Sequence, residues 1–249
     1  MKADSDLKEP MISVVIPAHN EQNFIKACLL SLKNQSFELP YEVIVVDNNC
    51  TDSTVEIANS FRVRIVKERT PGISAAREAG TAAAKADIIA QIDADSIADK
   101  KWLAEIYRTL KSNPKIVGVA GPSFDEGWTR SRRNRAVDFF VFKICATIIR
   151  NTPFRGHNIA FRKSAWQKSG GYRPEVQYLD DVDFGRRLRK TGKILYNPNQ
   201  KVLTSSRREK GMGWWGWIWM SIKCGWKLYM TPGNKKIRNH SMEKYSNKS

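Results

Sequence analysis

The sequence predicts an α/β protein with a Rossmann-like, mostly parallel central sheet flanked by helices. Three observations carry this. Short apolar runs alternate with helical patterns through residues 11–121. The runs are continuous, as strands covered on both faces are, and do not alternate apolar with polar. Three of them end in polar or acidic turns, at Pro17–Glu21, Asp47–Asp52 and Asp93–Asp95. Sheets of this kind bind ligands at the carboxyl ends of their strands, so the three turns are expected on one rim.

Each element has a local reason. "MISVVIPAHN" gives a buried strand over 12–16 that stops at Pro17. A helix follows over roughly 21–34, with Phe24, Ile25, Cys28, Leu29 and Leu32 at helical spacing. "YEVIVVDNNCTDST" is a second strand ending at Asp47, and Thr51 or Asp52 is placed to cap the next helix, about 52–60. "VRIVKE" is a third strand, "TPGISAAREAGTAAA" a Pro-Gly turn and an Ala-rich helix, and "DIIAQIDAD" a fourth strand. "KKWLAEIYRTLKSN" is a helix and "KIVGVAGP" a fifth strand. Beyond residue 122 the pattern is less regular. Residues 136–149 form an apolar run, expected as a helix and too short to span a bilayer core of ~30 Å. "HNIAFRKSAW" reads as a strand feeding a helix, "QYLDDVDFGRRLRKTG" as a helix with acids early and bases late, and "KILYNPNQKVLTS" as one or two short strands.

Net charge is +17 over 249 residues, and it is unevenly placed. Residues 1–121 hold 15 Lys+Arg against 16 Asp+Glu, whereas residues 122–249 hold 27 against 9. The second part therefore calls for an anionic partner: a phosphate-bearing substrate, an anionic membrane surface or nucleic acid. The four cysteines, Cys28, Cys50, Cys145 and Cys224, make no C-x-x-C pair and no disulfide or zinc framework, which suits a reducing, cytoplasmic compartment. Residues 1–10 are polar with no apolar core, unlike a signal peptide. The chain divides into this extension, a first half over 11–121, a second half of the same domain over 122–210 and a Trp/Lys-rich tail over 211–249.

Neither G-x-G-x-x-G after the first strand nor G-x-x-x-x-G-K-[ST] occurs, so a dinucleotide dehydrogenase and a P-loop enzyme are disfavoured. What the rim offers is carboxylates. Asp47 can accept hydrogen bonds from a base or from ribose hydroxyls. Asp93 and Asp95, one residue apart, supply hard oxygen ligands for Mn²⁺ or Mg²⁺, a shell that substrate phosphates complete. Alone, the D-x-D is equally well a solvated acidic turn.

The motifs become specific in order. "VVIPAHNE", "VIVVDNNCTDST", "GISAAREAG", "QIDADS", "GHNIAFRKSAWQKSGGY" and "LDDVDFGRRLRKTG" together resemble the family 2 glycosyltransferases of the GT-A fold, over about residues 11–205. The resemblance implies an inverting transferase that moves a sugar from a nucleotide-diphosphate sugar, most often a UDP-sugar, to a hydroxyl acceptor; the tail over 211–249 suits a lipid-linked or cell-envelope saccharide in that place. The resemblance also implies that Pro17, Ala18, Asn20, Glu21, Asp47, Asn49, Arg77 and Asp93 serve the nucleotide, Arg77 either beside it or paired with an aspartate of the site. Asp95 would hold the divalent metal. Asp181 would be the general base, with Asp183 as structural support, and Gly156, His157, Asn158 and Asp180 would serve the acceptor or sugar. Many relatives place a histidine after the strand that "NPNQKV" begins. Here the chain reads "VLTSSRREKG", and Arg207 or Arg208 is the candidate for the diphosphate.

The tail holds five of the eight tryptophans. Helical spacing puts Trp215, Ile218, Trp219, Ile222 and Trp226 near one face with Lys223 and Lys227 beside them, which suits contact with an anionic membrane surface. The competing expectation is that this segment packs on the domain. Localisation is expected to be cytoplasmic, peripheral on the inner face of the cell membrane if the tail binds there.

Three other functions fit the sequence less well. Nucleic-acid binding by the basic half is disfavoured, because the aromatics cluster in an apolar tail instead of forming a stacking platform; no specific nucleic acid is expected. A haloacid-dehalogenase-type phosphatase carries its D-x-D after the first strand, and here it follows the fourth. A catalytically silent relative is disfavoured by the acids at 95 and 181.

Overall fold

A computed structural model describes residues 9–125, 156–176 and 180–205. Ten strands and six helices appear in them: β1 Ile12–Ala18, α1 Ile25–Lys33, β2 Tyr41–Asp47, α2 Thr54–Ser60, β3 Arg64–Lys67, α3 Ile73–Ala83, β4 Ile88–Gln91, β5 Ser96–Ala98, α4 Trp102–Ser112, β6 Ile116–Ala120, β7 Ser123–Asp125, β8 Ile159–Arg162, α5 Lys163–Ser169, α6 Asp180–Leu188, β9 Lys193–Tyr196 and β10 Val202–Thr204. The region 136–149 and the tail from 211 lie outside the described residues.

Seven strands form the main sheet in the order β3-β2-β1-β4-β8-β6-β9. All its pairings are parallel except those of β8 with β4 and with β6. The central strand β1 is buried at every position, which is why its sequence is an unbroken apolar run. β3 is an edge and carries charge at both ends, Arg64 and Lys67. β8 and β9, from the second half of the chain, lie in the same sheet as the strands of the first half.

Alternate strand residues feed two cores, one per face. Ile12, Val14 and Ile16 pack with Cys28, Leu29 and Leu32 of α1 and with Trp102, Leu103 and Ile106 of α4. Val15, Ile44, Val46 and Ile89 pack with Ala76 of α3 and with Phe184 and Leu188 of α6. The small residues of "SAAREAG" let α3 lie close on the sheet. A Cβ at Gly80 would overlap Val15 Cγ1 and stand 2.7 Å from Val46 Cγ2.

Three expectations change. The first helix begins at Ile25, not near 21: Gln22 and Glu21 are tied through their amides to Asp52 and Thr54, and the Glu21 carbonyl accepts from Phe24 and Ile25 in a turn. α2 has Ser53, not Thr51 or Asp52, at its N-cap position, with no side-chain cap bond; Asp52 instead accepts from the Thr54 amide at 3.0 Å. The strand β5, only Ser-Ile-Ala, follows the Asp93–Asp95 turn and pairs antiparallel with β10, itself parallel to β7. Its three residues give no periodic signal, so tertiary pairing alone defines it. Among the described residues no helix is long and apolar enough to cross a membrane.

Candidate active site

The carboxyl ends of β1, β2 and β4 meet on one rim because the three strands are adjacent and parallel. The loops after β1 and β2 are fastened to each other. His19 Nδ1 lies 2.7 Å from the Asn48 carbonyl, Asn20 Oδ1 accepts from the Thr51 amide at 2.8 Å, and Gln22 Oε1 accepts from the Ser53 amide at 3.1 Å. Asn20 and Asn49 have φ of 54° and 62°, a left-handed conformation that asparagine tolerates better than other side-chain-bearing residues. Pro17 and Ala18 are buried in β1. Asp47 accepts from the Cys50 amide at 2.9 Å through Oδ1, a turn-capping bond. Asn49 donates to the Arg69 carbonyl at 3.1 Å. The carboxylate of Asp47 is half-buried at the lip of this cradle.

Arg77 projects from α3 into the centre of the site and is 3% exposed. One terminal nitrogen donates to Asp180 Oδ2 at 2.7 Å and the other to Asp93 Oδ1 at 3.1 Å. Burial opposes its charge, but Asp180 and then Asp93 outweigh it, so its pKa lies above the usual value. Arg77 therefore binds the end of β4 to the start of α6.

Asp181 follows Asp180 in the first turn of α6. Its Oδ2 accepts from the Gly156 amide at 2.9 Å and its Oδ1 from the Val182 amide at 2.8 Å. Burial, and next the adjacent Asp180, raise its pKa from 3.8 to about 6, against the lowering influence of Arg77 and the two amides. The carboxylate is half-buried and poised near neutrality, as a general base requires. Asp183, in the same first turn, is held by Arg187 at 2.7 Å.

The 156–158 turn departs from the roles the resemblance implies. Gly156 leaves room for the Arg77 guanidinium, which a Cβ there would overlap, not for an approaching sugar. Asn158 is 0% exposed. Its Oδ1 accepts from Trp102 Nε1 and from Gln200 Nε2, and its Nδ2 donates to the Pro122 and Gln200 carbonyls, at 2.8–2.9 Å. With these bonds made inside the protein, Asn158 fastens β8, α4 and the β9–β10 turn together and leaves no group for a sugar hydroxyl. Asp180 is 6% exposed and engaged by Arg77, so its carboxylate is already committed inside the protein. His157 is half-buried.

Asp93 and Asp95 flank the turn between β4 and β5. Ser96, the next residue, donates to Thr204 Oγ1 of β10 at 2.9 Å, bringing the strand after "NPNQKV" against the D-x-D turn. Arg207 and Arg208 lie outside the described residues. Among the described residues no group of three or more His, Cys, Asp or Glu is gathered to hold a metal. The donor set of Asp93 and Asp95 nevertheless fits a hard divalent ion, which takes one or two carboxylates and fills its shell with phosphate oxygens. Cys28 lies beneath this turn, and burial, then Asp95 and Asp93, drive its thiol well above the usual pKa, so it is an inert packing residue.

Three supporting residues lie inside the quoted motifs, but the motifs assign them no role. Asn48 is 6% exposed and holds the Glu68 and Thr70 carbonyls and the Gly72 amide, fixing the entry to α3. Glu78 accepts from Trp166 Nε1 at 2.9 Å and the Tyr172 amide at 2.6 Å. Tyr172 donates to Gln91 at 2.6 Å. Their partners are 20 or more residues away, so no local pattern reveals these bonds.

The glycosyl transferase family 2 model matches residues 13–170, more than half the chain. The glycosyltransferase AglE of Haloferax volcanii is 35% identical over 192 residues, covering 74% of this chain and 62% of AglE. The Bacillus subtilis protein described as a glycosyltransferase, EpsH, is 27% identical over 197 residues, covering 73% of this chain and 56% of EpsH. The chain thus spans a little over half of these relatives. Among solved structures, the mannosyltransferase PcManGT of Pyrobaculum calidifontis, in complex with GDP-Man and Mn²⁺, superposes with a TM-score of 0.69 at 18% identity, covering 92% of this chain and 66% of that one. S. aureus TarS in complex with UDP-GlcNAc gives 0.65 at 18%, covering 79% and 58%. These structural likenesses carry the fold, which is GT-A. With the strand-end carboxylates, the Arg77 hub and the family match in agreement, the chain belongs to glycosyl transferase family 2.

Proposed function

We propose that the chain is an inverting glycosyltransferase that moves a sugar from a nucleotide-diphosphate sugar, most simply a UDP-sugar, to a hydroxyl of a cell-envelope saccharide or lipid-linked acceptor. The single observation that carries this is Asp181: a carboxylate fixed by two backbone amides, half-buried, with its pKa raised to about 6, and linked through Gly156 and Arg77 to the D-x-D turn. Asp181 takes the proton of the acceptor hydroxyl. That oxygen attacks the anomeric carbon opposite the departing nucleotide diphosphate, and the configuration inverts. The cradle formed by the β1 and β2 loops, with Asp47 and Asn49, receives the nucleoside, and its crossed hydrogen bonds hold it preformed. Asp95, with Asp93, would hold Mn²⁺ or Mg²⁺, which when bound neutralises charge on the diphosphate. The relatives support the reading: PcManGT carries GDP-Man with Mn²⁺ and TarS carries UDP-GlcNAc. The basic second half and the tail suit a cytoplasmic enzyme that meets the inner face of the membrane. A panel of nucleotide-sugars with either metal, followed by nucleotide diphosphate release, tests the proposal. Full activity of both Asp95→Ala and Asp181→Asn would overturn the assigned roles.

A further inference from the structure

We infer that Arg77 is a positioning residue that sets the orientation of Asp181 through Gly156 and Asp180, tying the acceptor-side base to the donor-side carboxylate Asp93. The inference rests on the reading of Asp181 as the base.

Three features converge on it. Arg77 is buried and spans two carboxylates from different elements, Asp93 after β4 and Asp180 at the start of α6. A planar, forked guanidinium can hold both, and a lysine ammonium, a single point, cannot hold them in the same geometry. The guanidinium also fills the space in which a side chain at residue 156 would lie, so the Gly156 backbone rests against it. From that backbone the Gly156 amide donates to Asp181 Oδ2 at 2.9 Å. The base is thus held on one side by its own helix, through the Val182 amide, and on the other by a loop braced on Arg77. Neutralising buried Asp180 alone would need only the first ion pair. The second bond, to Asp93, makes the position of the base depend on the carboxylate beside the D-x-D turn. Arg77 is itself anchored by helix α3, where its carbonyl accepts from Thr81 Oγ1 at 2.7 Å and Gly80 seats the helix on β1 and β2.

The test uses the full chain with UDP-GlcNAc and UDP-glucose as donor probes, and reads the Gly156 amide by NMR hydrogen exchange. Arg77→Lys is expected to raise exchange at Gly156 at least about tenfold, since the loop loses its brace. In the same variant kcat falls about 100-fold while the donor KM moves less than about threefold, the signature of a misplaced group and not of lost binding. Gly156→Ala displaces the guanidinium and shows the same split, and the double variant is no worse than the poorer single one, because both act on one contact. Additive losses, a loss confined to donor KM, or wild-type exchange at Gly156 in Arg77→Lys each overturn the inference. Collapse of the fold in both single variants also overturns it, by assigning Arg77 to stability alone. Absence of wild-type turnover across the whole panel of nucleotide-sugars with either metal overturns the transferase reading instead, and the exchange measurement still decides whether Arg77 braces Gly156.

Discussion

Trp102 Nε1 donates to Asn158 Oδ1 at 2.9 Å, a buried bond that locks the first turn of α4 to the residue two positions after Gly156. The same amide closes on both Pro122 and Gln200, so one side chain fixes the frame from which the Asp181-binding loop departs. Asn158→Ala removes one group and strands several buried partners. It should destabilise the protein by about 2–4 kcal/mol, read as a lower urea midpoint at unchanged slope. Donor and acceptor KM in the folded fraction should stay near wild type, and a selective rise in acceptor KM would restore Asn158 to the sugar site.

Asp181 predicts a pH profile. Its base form dominates above its raised pKa, so kcat should rise with pH through about 6 and then level. Asp181→Asn should lower kcat by about 10²–10⁴-fold and abolish this limb, measured by diphosphate release across pH. The sign for stability is opposite. Because the folded pKa exceeds the unfolded value, the group favours the fold below about 4, and this contribution is lost as pH rises through about 6. Chemical denaturation of wild type and variant across pH 4–7 should diverge in that direction.

At the D-x-D turn the two carboxylates repel, and one is already engaged by Arg77. Mn²⁺ should therefore bind weakly to the chain alone and at least about tenfold more tightly in the presence of UDP, whose phosphate oxygens complete the shell. Calorimetry with and without UDP reads this, and Asp95→Ala should remove the coupling. Tight Mn²⁺ binding with no nucleotide present would count against the two-carboxylate site.

Gly80→Ala forces a methyl into Val15 and Val46 on the sheet face. It should cost about 1–3 kcal/mol by overpacking, seen as a lower melting temperature, although alanine favours helix. An unchanged melting temperature would mean that α3 can lift off the sheet without loss.

Local patterns in the sequence suffice for the α/β class, the parallel start of the sheet and the rim of acids. These are local: continuous apolar runs such as "ISVVI" and "VIVV" need burial on both faces, and Asp47, Asp93 and Asp95 each end such a run. The rest depends on long-range packing. The antiparallel insertion of β8 between β4 and β6, and the three-residue β5 paired to β10, come from contacts between segments far apart in the chain. The same holds for division of labour within the motifs. Arg77 pairs with Asp180 across 103 positions, and Asn158 meets Trp102 across 56. Side chains that look equivalent in a string, Asp180 and Asp181 or His157 and Asn158, part company only when packing buries one and leaves its neighbour half-buried.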